Sequence, residues 1–456
     1  MKKKHKTNYR ILALLMAFAL FGGCTQAGNE TPGDNGTPTG TASVTQSAVK
    51  TPEATATPTQ TSTSTPTPTF TPTPTNTPTP VPELTITMAG DILLHTGVEN
   101  DCLQADGTYD YSSIFANTKD FISSFDVALV NQEVIIGGSE LGVSGYPRFN
   151  AGFELADALA DAGFDVILHA TNHALDKGKT GILNCLENWE RFPDIDVLGI
   201  YLTEQDAEDQ IVYIEKNGIR ISILNFTYGT NGISVPSSMP WAVGPLLVNT
   251  PNAEGKEGAV KKITDLIDKA EANSDFTIVC PHWGSEYSTT QSANQREWNR
   301  IFYDHGADLV MGTHSHVVQP MVIVNNETTL NVLKYDFDRD QPKELRSDQM
   351  LVYYSLGNFV NWTEESGEKI LKRMVGGMPE ITLGLDDNGE VVIKDFNVRA
   401  VVTHVATGRN LVSVYKLEDY NEEMARENEI ANRAGTELTI GYCKELLNSV
   451  WGDLWR

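Results

Sequence analysis

Short runs of apolar residues recur along the second part of the chain, and most lead into a polar residue able to bind a metal or move a proton. Leu84–Met88 leads to Gly90-Asp91, and Val127–Val130 to Asn131-Gln132-Glu133. Val166–Leu168 leads to Asn172-His173, Phe276–Val279 to His282, and Leu309–Met311 to His314-Ser315-His316. Runs this short predict buried strands. Between them, Glu154–Ala162, Thr180–Arg191, Glu257–Ala272 and Gln295–His305 space their apolar residues as amphipathic helices do. The alternation predicts a layered α/β domain, with the polar residues gathered at the carboxyl edge of a sheet. Met350–Ser355 and Glu390–Val402 read as later, more antiparallel strands. After residue 405 the pattern turns helical and charged, over Asp419–Asn432 and Thr436–Val450. Residues 406–456 are therefore expected to form a helical C-terminal extension, a packing or interaction appendage.

The first part of the chain has a different pattern. Lys2, Lys3, Lys4, Lys6 and Arg10 precede the apolar run Ile11–Phe21, which is too short to span a bilayer comfortably and has the form of an export signal. It ends Phe21-Gly22-Gly23-Cys24, which resembles a bacterial lipobox, with Phe21 where Leu is preferred. Residues 1–24 are thus expected to be a lipoprotein signal. Cys24 is the expected lipidation site, anchoring the chain to the outer face of the bacterial cell membrane. Residues 25–83 are rich in Thr, Pro, Ser, Gly and Ala and hold too few apolar side chains for a core. As an extended spacer they reach at most about 180 Å. The folded domain is expected over 84–405.

Composition narrows the partners. The formal charge is −26 and the pI is near 4.7, which argues against passive binding to nucleic acid. An anionic substrate needs a local attractor, which divalent metal would supply. Cys102, Cys185, Cys280 and Cys443 follow Cys24; an oxidising compartment permits disulfides among them, but nothing selects a pairing. The absence of a C-x-x-C pair argues against a thiolate zinc site.

The chemistry lies in the ordered set at the strand ends. A carboxylate (Asp91), a second carboxylate able to bridge (Glu133), an amide oxygen (Asn172) and imidazoles (His282, His314, His316) are the ligand types of a two-metal hydrolytic centre. His173 is placed to protonate a leaving oxygen. His314 and His316, two apart, share a face if the backbone is extended. Asn131, Asp176, Glu286, Tyr287 and Asn358 are candidates to support these groups or touch substrate. Asp176 could equally lead into the helix that follows, and Tyr287 could simply pack.

These motifs resemble the calcineurin-like metallophosphoesterases, and more closely their capsule-synthesis branch, the CapA family linked to poly-γ-glutamate production. They read M-A-G-D-I-L-L, V-N-Q-E, A-T-N-H-A-L-D-K-G, H-W-G-S-E-Y, G-T-H-S-H-V-V-Q-P and Y-S-L-G-N-F-V. The resemblance implies a four-layer α/β sandwich holding two divalent ions (Mn, Fe or Zn). It implies Asp91, Glu133 and His316 on one ion; Glu133, Asn172, His282 and His314 on the other; and His173 as general acid. Position 93 departs from the wider pattern, being Leu where Asp-x-His is usual, and His95 is the candidate to complete the first ion. Gln132 replaces the Leu usual in the branch. The implied function is a surface-anchored hydrolase acting on an anionic polymer or phosphoester in polymer synthesis, release or attachment. The alternative is a non-catalytic scaffold among membrane polymer synthase and export proteins.

Overall fold

In the computed structural model, residues 82–334, 337, 341–406, 411–433 and 437–456 are described. The signal segment, Cys24 and residues 25–81 of the spacer lie outside them. No described helix is long and apolar enough to cross a membrane.

The strands are β1 (Glu83–Leu93), β2 (Val127–Asn131), β3 (Val166–Leu168), β4 (Asp196–Leu198), β5 (Val212–Lys216), β6 (Ile219–Thr227), β7 (Phe276–His282) and β8 (Leu309–Met311). They continue with β9 (Met321–Val324), β10 (Thr329–Asn331), β11 (Met350–Tyr353), β12 (Asn358–Asn361), β13 (Val375–Leu385), β14 (Val391–Val405) and β15 (Val412–Lys416). One sheet runs β15-β14-β13-β1-β2-β3-β4, with β12 also beside β1; the other runs β10-β9-β11-β8-β7-β6-β5. β1 to β4 pair in parallel, as do β6, β7, β8 and β11, and the outer strands are antiparallel.

The longer helices are α1 (Glu154–Ala162), α2 (Gly178–Trp189), α3 (Glu257–Asn273), α4 (Ala293–Asp304) and α5 (Ile440–Trp451). α1 stops at Gly163, whose left-handed φ of 94° lets its N–H return to Ala160. α4 starts two residues before its expected bound, because Ser292 and Gln295 form a reciprocal capping box.

Period-two burial explains the layers. Ile278, Cys280, Leu309, Met311, Leu351 and Tyr353 enter the larger core, which also takes in β1–β4, α1 and α2. Their neighbours Val279, Val310 and Val352 enter a second core with Ile263 and Ile267 of α3 and Trp298 and Phe302 of α4. The second sheet is therefore apolar on both faces, as a sheet covered on both sides must be. Helix, sheet, sheet, helix is the four-layer order.

The segment read as a C-terminal appendage is built into this domain. It supplies β15, and Asp419–Asn432 holds only the short helix Glu422–Glu427 between 3₁₀ turns. Trp451 of α5 is fully buried and donates to the Gln319 carbonyl (2.9 Å), while Trp455 bridges Val398 of β14. Charge on the exposed residues hid this apolar face. Cys102, Cys185, Cys280 and Cys443 are buried free thiols.

Beside β1, the buried Glu99 accepts from the Tyr111 hydroxyl (2.6 Å). Burial raises its carboxyl from 4.5 to about 8. The protonated form is thus favoured by folding, so this stabilisation is complete below the ordinary value and is lost as pH climbs through about 8. The thermal midpoint is expected to fall between pH 5 and pH 9, and Glu99→Gln to flatten that fall. An unchanged slope in the variant would assign the pH dependence to other groups.

Candidate metal centre

The parallel strands of both sheets deliver their carboxyl ends to one place. Asp91 ends the straight part of β1, where register with β2 and β12 shifts. Gly90 is required there, because a Cβ would stand 2.0 Å from the Gly357 carbonyl oxygen. That close approach lets the Asp91 N–H donate to the same oxygen (3.0 Å) and sets Asp91 against Asn358. Asn131 closes β2 and donates to Asp91 Oδ1 (2.9 Å). Glu133 follows, its carbonyl accepting from the Thr171 hydroxyl (2.8 Å), which joins the β2 and β3 ends. His282 closes β7, and its Nδ1 meets the Thr313 hydroxyl at 3.0 Å.

His314 and His316 follow β8 in a turn. Their φ values are 90° and 58°, so the extended backbone expected from their spacing is corrected. Two non-glycine residues in left-handed conformation one residue apart are costly and persist where the surroundings fix them. The turn aims both rings inward, with centroids 5.8 Å apart, and directs the His314 N–H at both Asp91 oxygens (3.2 and 3.3 Å).

All six expected ligands are buried and adjacent. His316 Nδ1 lies 3.1 Å from Asp91 Oδ2, 3.1 Å from Asn358 Oδ1 and 3.6 Å from Glu133 Oε2. His282 Nε2 lies 2.8 Å from Asn172 Oδ1 and 3.6 Å from Glu133 Oε1. The His282 and His314 rings are 4.8 Å apart. Glu133 thus stands between an Asp91–His316 side and an Asn172–His282–His314 side. Ligand atoms of Glu133, His314 and His316 all lie within 4.8 Å of one another.

The electrostatics fit a cation. Burial, reinforced by the charge of Glu133, raises the Asp91 carboxyl. Burial works against ionising Glu133 too, but His316 and His282 outweigh it and hold Glu133 well below the usual range. For His316, burial is overcome by Glu133 and Asp91, and its pKa stands at about 9. His314 is driven well down by burial and by the neighbouring imidazoles, so it keeps a free lone pair. Its Nδ1 and both oxygens of Glu133 are buried without a hydrogen-bond partner. Orphaned buried acceptors are costly. Three of them converging among imidazoles and a second carboxylate fit divalent metal, as the ligand chemistry does.

His173 sits at the mouth of this centre. Its Nδ1 meets Asp176 Oδ2 at 2.6 Å, and its ring stands edge-on to Phe149 at 4.6 Å. Asp176 Oδ2 also accepts from the Phe149 N–H (2.7 Å), so one carboxylate fixes both residues. A cleft of about 730 Å³ opens here, lined by His173, His316, Glu286 and Tyr287 among others. Tyr287 is 39% exposed, with its ring 6.0 Å from His316. Leu93 also lines the cleft, so the departure at that position falls at the site itself. His95 lines the cleft outside the Glu133–His314–His316 group. Its Nε2 has no partner, and burial, helped by Arg373, lowers its pKa to about 3.

Sequence reading missed three contributors. Asn231 places its amide nitrogen 3.4 Å from both ring nitrogens of His173 and accepts from Asn172 (3.2 Å). Its Asn-Gly dipeptide signalled only a turn. Tyr228 covers His314, with ring centroids 4.5 Å apart. Arg373 lines the cleft, and nothing in its surrounding sequence marked it.

Residues 85–363 match the family described as bacterial capsule synthesis protein PGA_cap, and the chain belongs to that family. It is 25% identical over 308 residues to the PGA biosynthesis protein CapA of Bacillus subtilis (strain 168), covering 66% of this chain and 70% of that protein. It is 28% identical over 302 residues to the capsule biosynthesis protein CapA of Bacillus anthracis, covering 64% and 63%. The chain thus spans less than two thirds of the second relative. Among solved structures it is similar to the NAD nucleotidase NadN of Haemophilus influenzae, at 14% identity and a TM-score of 0.39, covering 80% of this chain and 66% of that one.

Proposed function

We propose that this chain is a metal-dependent hydrolase of the capsule-synthesis type. It is exported, held to the outer face of the cell membrane through lipid on Cys24, and acts on an extracellular anionic polymer such as poly-γ-glutamate. The observation that carries the reading is the set of orphaned buried acceptors, Glu133 and His314 Nδ1, enclosed by Asp91, His282 and His316. Asp91, Glu133 and His316 would hold one divalent ion, and Glu133, Asn172, His282 and His314 a second. Such a pair supplies Lewis-acid polarisation of a carbonyl or phosphoryl group and a nucleophile at neutral pH.

The chain's own side chains supply the rest. Asp176 fixes His173 through Nδ1, which leaves Nε2 to carry the proton for a leaving group in the cleft. Phe149 and Asn231 restrict the ring's other positions. Asn131 and the His314 N–H bind Asp91, so the carboxylate is oriented before any ligand arrives. The scaffold alternative draws on Leu93, which gives the first ion one ligand fewer than the wider pattern.

The test is hydrolysis by the full chain loaded with Mn²⁺. The readouts are chain length of γ-linked polyglutamate and nitrophenol release from an aryl phosphodiester. Shortening of the polymer is the expected result. Turnover of the diester alone would move the substrate to phosphoesters, and turnover of neither would leave the scaffold reading.

A further inference from the structure

We propose that Arg373 is a specificity-determining residue: its guanidinium takes a carboxylate of the substrate beside the bond held over the metal centre, a place Glu365 fills in the free protein. This inference rests on the hydrolase reading for where the bond lies, and adds the chemical group recognised next to it.

Arg373 is a buried charge. Its side chain is 3% exposed, yet its carboxylate partner is Glu365 (Nη1 to Oε2, 2.5 Å), whose own side chain is 64% exposed. Its buried Nε has no hydrogen-bond partner. Burying a guanidinium is costly unless its donors are satisfied. A fork with one donor on a solvent-facing glutamate and another unfilled is a site built for more than Glu365 gives it. Arginine's fork matches a carboxylate through two parallel bonds.

The fork is also held in place. The guanidinium lies over the Tyr287 ring at 4.6 Å, and that ring stands 6.0 Å from His316. The Arg373 carbonyl accepts from Asn358 Nδ2 (2.9 Å), and Asn358 Oδ1 contacts His316. The guanidinium through Tyr287, and the Arg373 backbone through Asn358, are therefore both linked to His316, in the cleft that Arg373 and His316 line. Arg148 lines the same cleft. Asp176, Glu286, Glu364 and Glu365 line it too, so in a protein of charge −26 the two guanidiniums are the cleft's fixed positive groups for an anionic chain.

A purely structural ion pair is the competing account, with Arg373 pinning the Thr363–Glu365 loop. That loop is already pinned by Arg433, which donates to the Thr363 and Glu365 carbonyls. Glu365 is thus dispensable for the loop and acts as an occupant that substrate displaces.

The test uses the full chain loaded with Mn²⁺, and binding is measured apart from turnover. Calorimetric titration with a γ-linked glutamate oligomer is compared with the same oligomer amidated at its side carboxylates. Wild type is expected to prefer the free acid at least tenfold. Arg373→Ala, and also Arg373→Lys with its charge but no fork, are expected to lose that preference. Glu365→Gln is expected to tighten binding, and glutarate to compete better than inorganic phosphate. Thermal midpoints guard against unfolding in Arg373→Ala, and the lysine variant carries the test if alanine fails to fold. An unchanged preference in Arg373→Lys, weaker binding in Glu365→Gln, or no binding by wild type overturns the proposal. Preferential displacement by phosphate overturns its carboxylate specificity. Binding without cleavage would defeat the hydrolase reading alone, and cleavage indifferent to Arg373 this inference alone.

Discussion

Purified without chelator, the full chain is expected to carry about two divalent transition-metal ions, and the His314→Ala, His316→Ala double variant none. The effect should be this complete because the two rings project from one strained turn into both sides of Glu133. Without them, Asp91 and Glu133 remain as two buried carboxylates whose charges oppose one another. A metal at a thousandfold excess over its Kd stabilises a fold by about 4 kcal/mol. Chelator is therefore expected to lower the thermal midpoint of the wild type and to leave the double variant where it was. Equal metal content in the two proteins would locate the ions elsewhere and remove the basis of the hydrolase reading.

The second large effect concerns His173. His173→Asn is expected to retain its metal and lose roughly 10²–10⁴-fold in kcat, the usual worth of a positioned general acid. The loss should depend on the leaving group, which separates proton donation from mere positioning. A nitrophenolate departs without help, so an aryl ester should suffer least, whereas a poor leaving group should show the full loss. Asp176→Asn is expected to fall between wild type and His173→Asn, because it weakens the Nδ1 contact while keeping the imidazole. A uniform loss across leaving groups, or loss of metal in His173→Asn, would count against the acid role.

Much of this was legible in the sequence because metal ligands at strand ends leave a pattern: an apolar run, then a donor. Asp91, Glu133, Asn172, His282, His314 and His316 share that signature, and the fold brings all six together. His169 shows the limit of that rule: it directly follows Val166–Leu168, yet it takes a hydrogen bond from Trp189 and stays outside the centre. What stayed hidden depends on long-range packing. Arg373 lies in a 3₁₀ turn without periodicity, and its neighbours come from distant loops. The backbone at His314 and His316 stayed open in the sequence, because their spacing suits an extended strand as well as a left-handed turn. The C-terminal helix reads as an appendage in the sequence because its exposed face is charged, while Leu447 and Trp451 hold the buried one.

The position of β1 governs the order in which the chain can fold. It is the first of the described strands to emerge, yet it lies inside its sheet, against β2 on one side and β13 on the other. Glu83 pairs with Gly384, three hundred residues later in register terms. The family match ends at residue 363, before β13, β14 and β15 begin. A chain stopped there would keep all six expected metal ligands and still leave the amino end of β1 with an open edge. Non-local closure of this kind is slow, and it exposes strand edges while it waits. Closure of the centre and closure of the sheet are thus separable: Asp91 is held by Asn131, His314 and Gly357, all within the family match, while β13 covers only the amino end of β1, after most of the polypeptide is available.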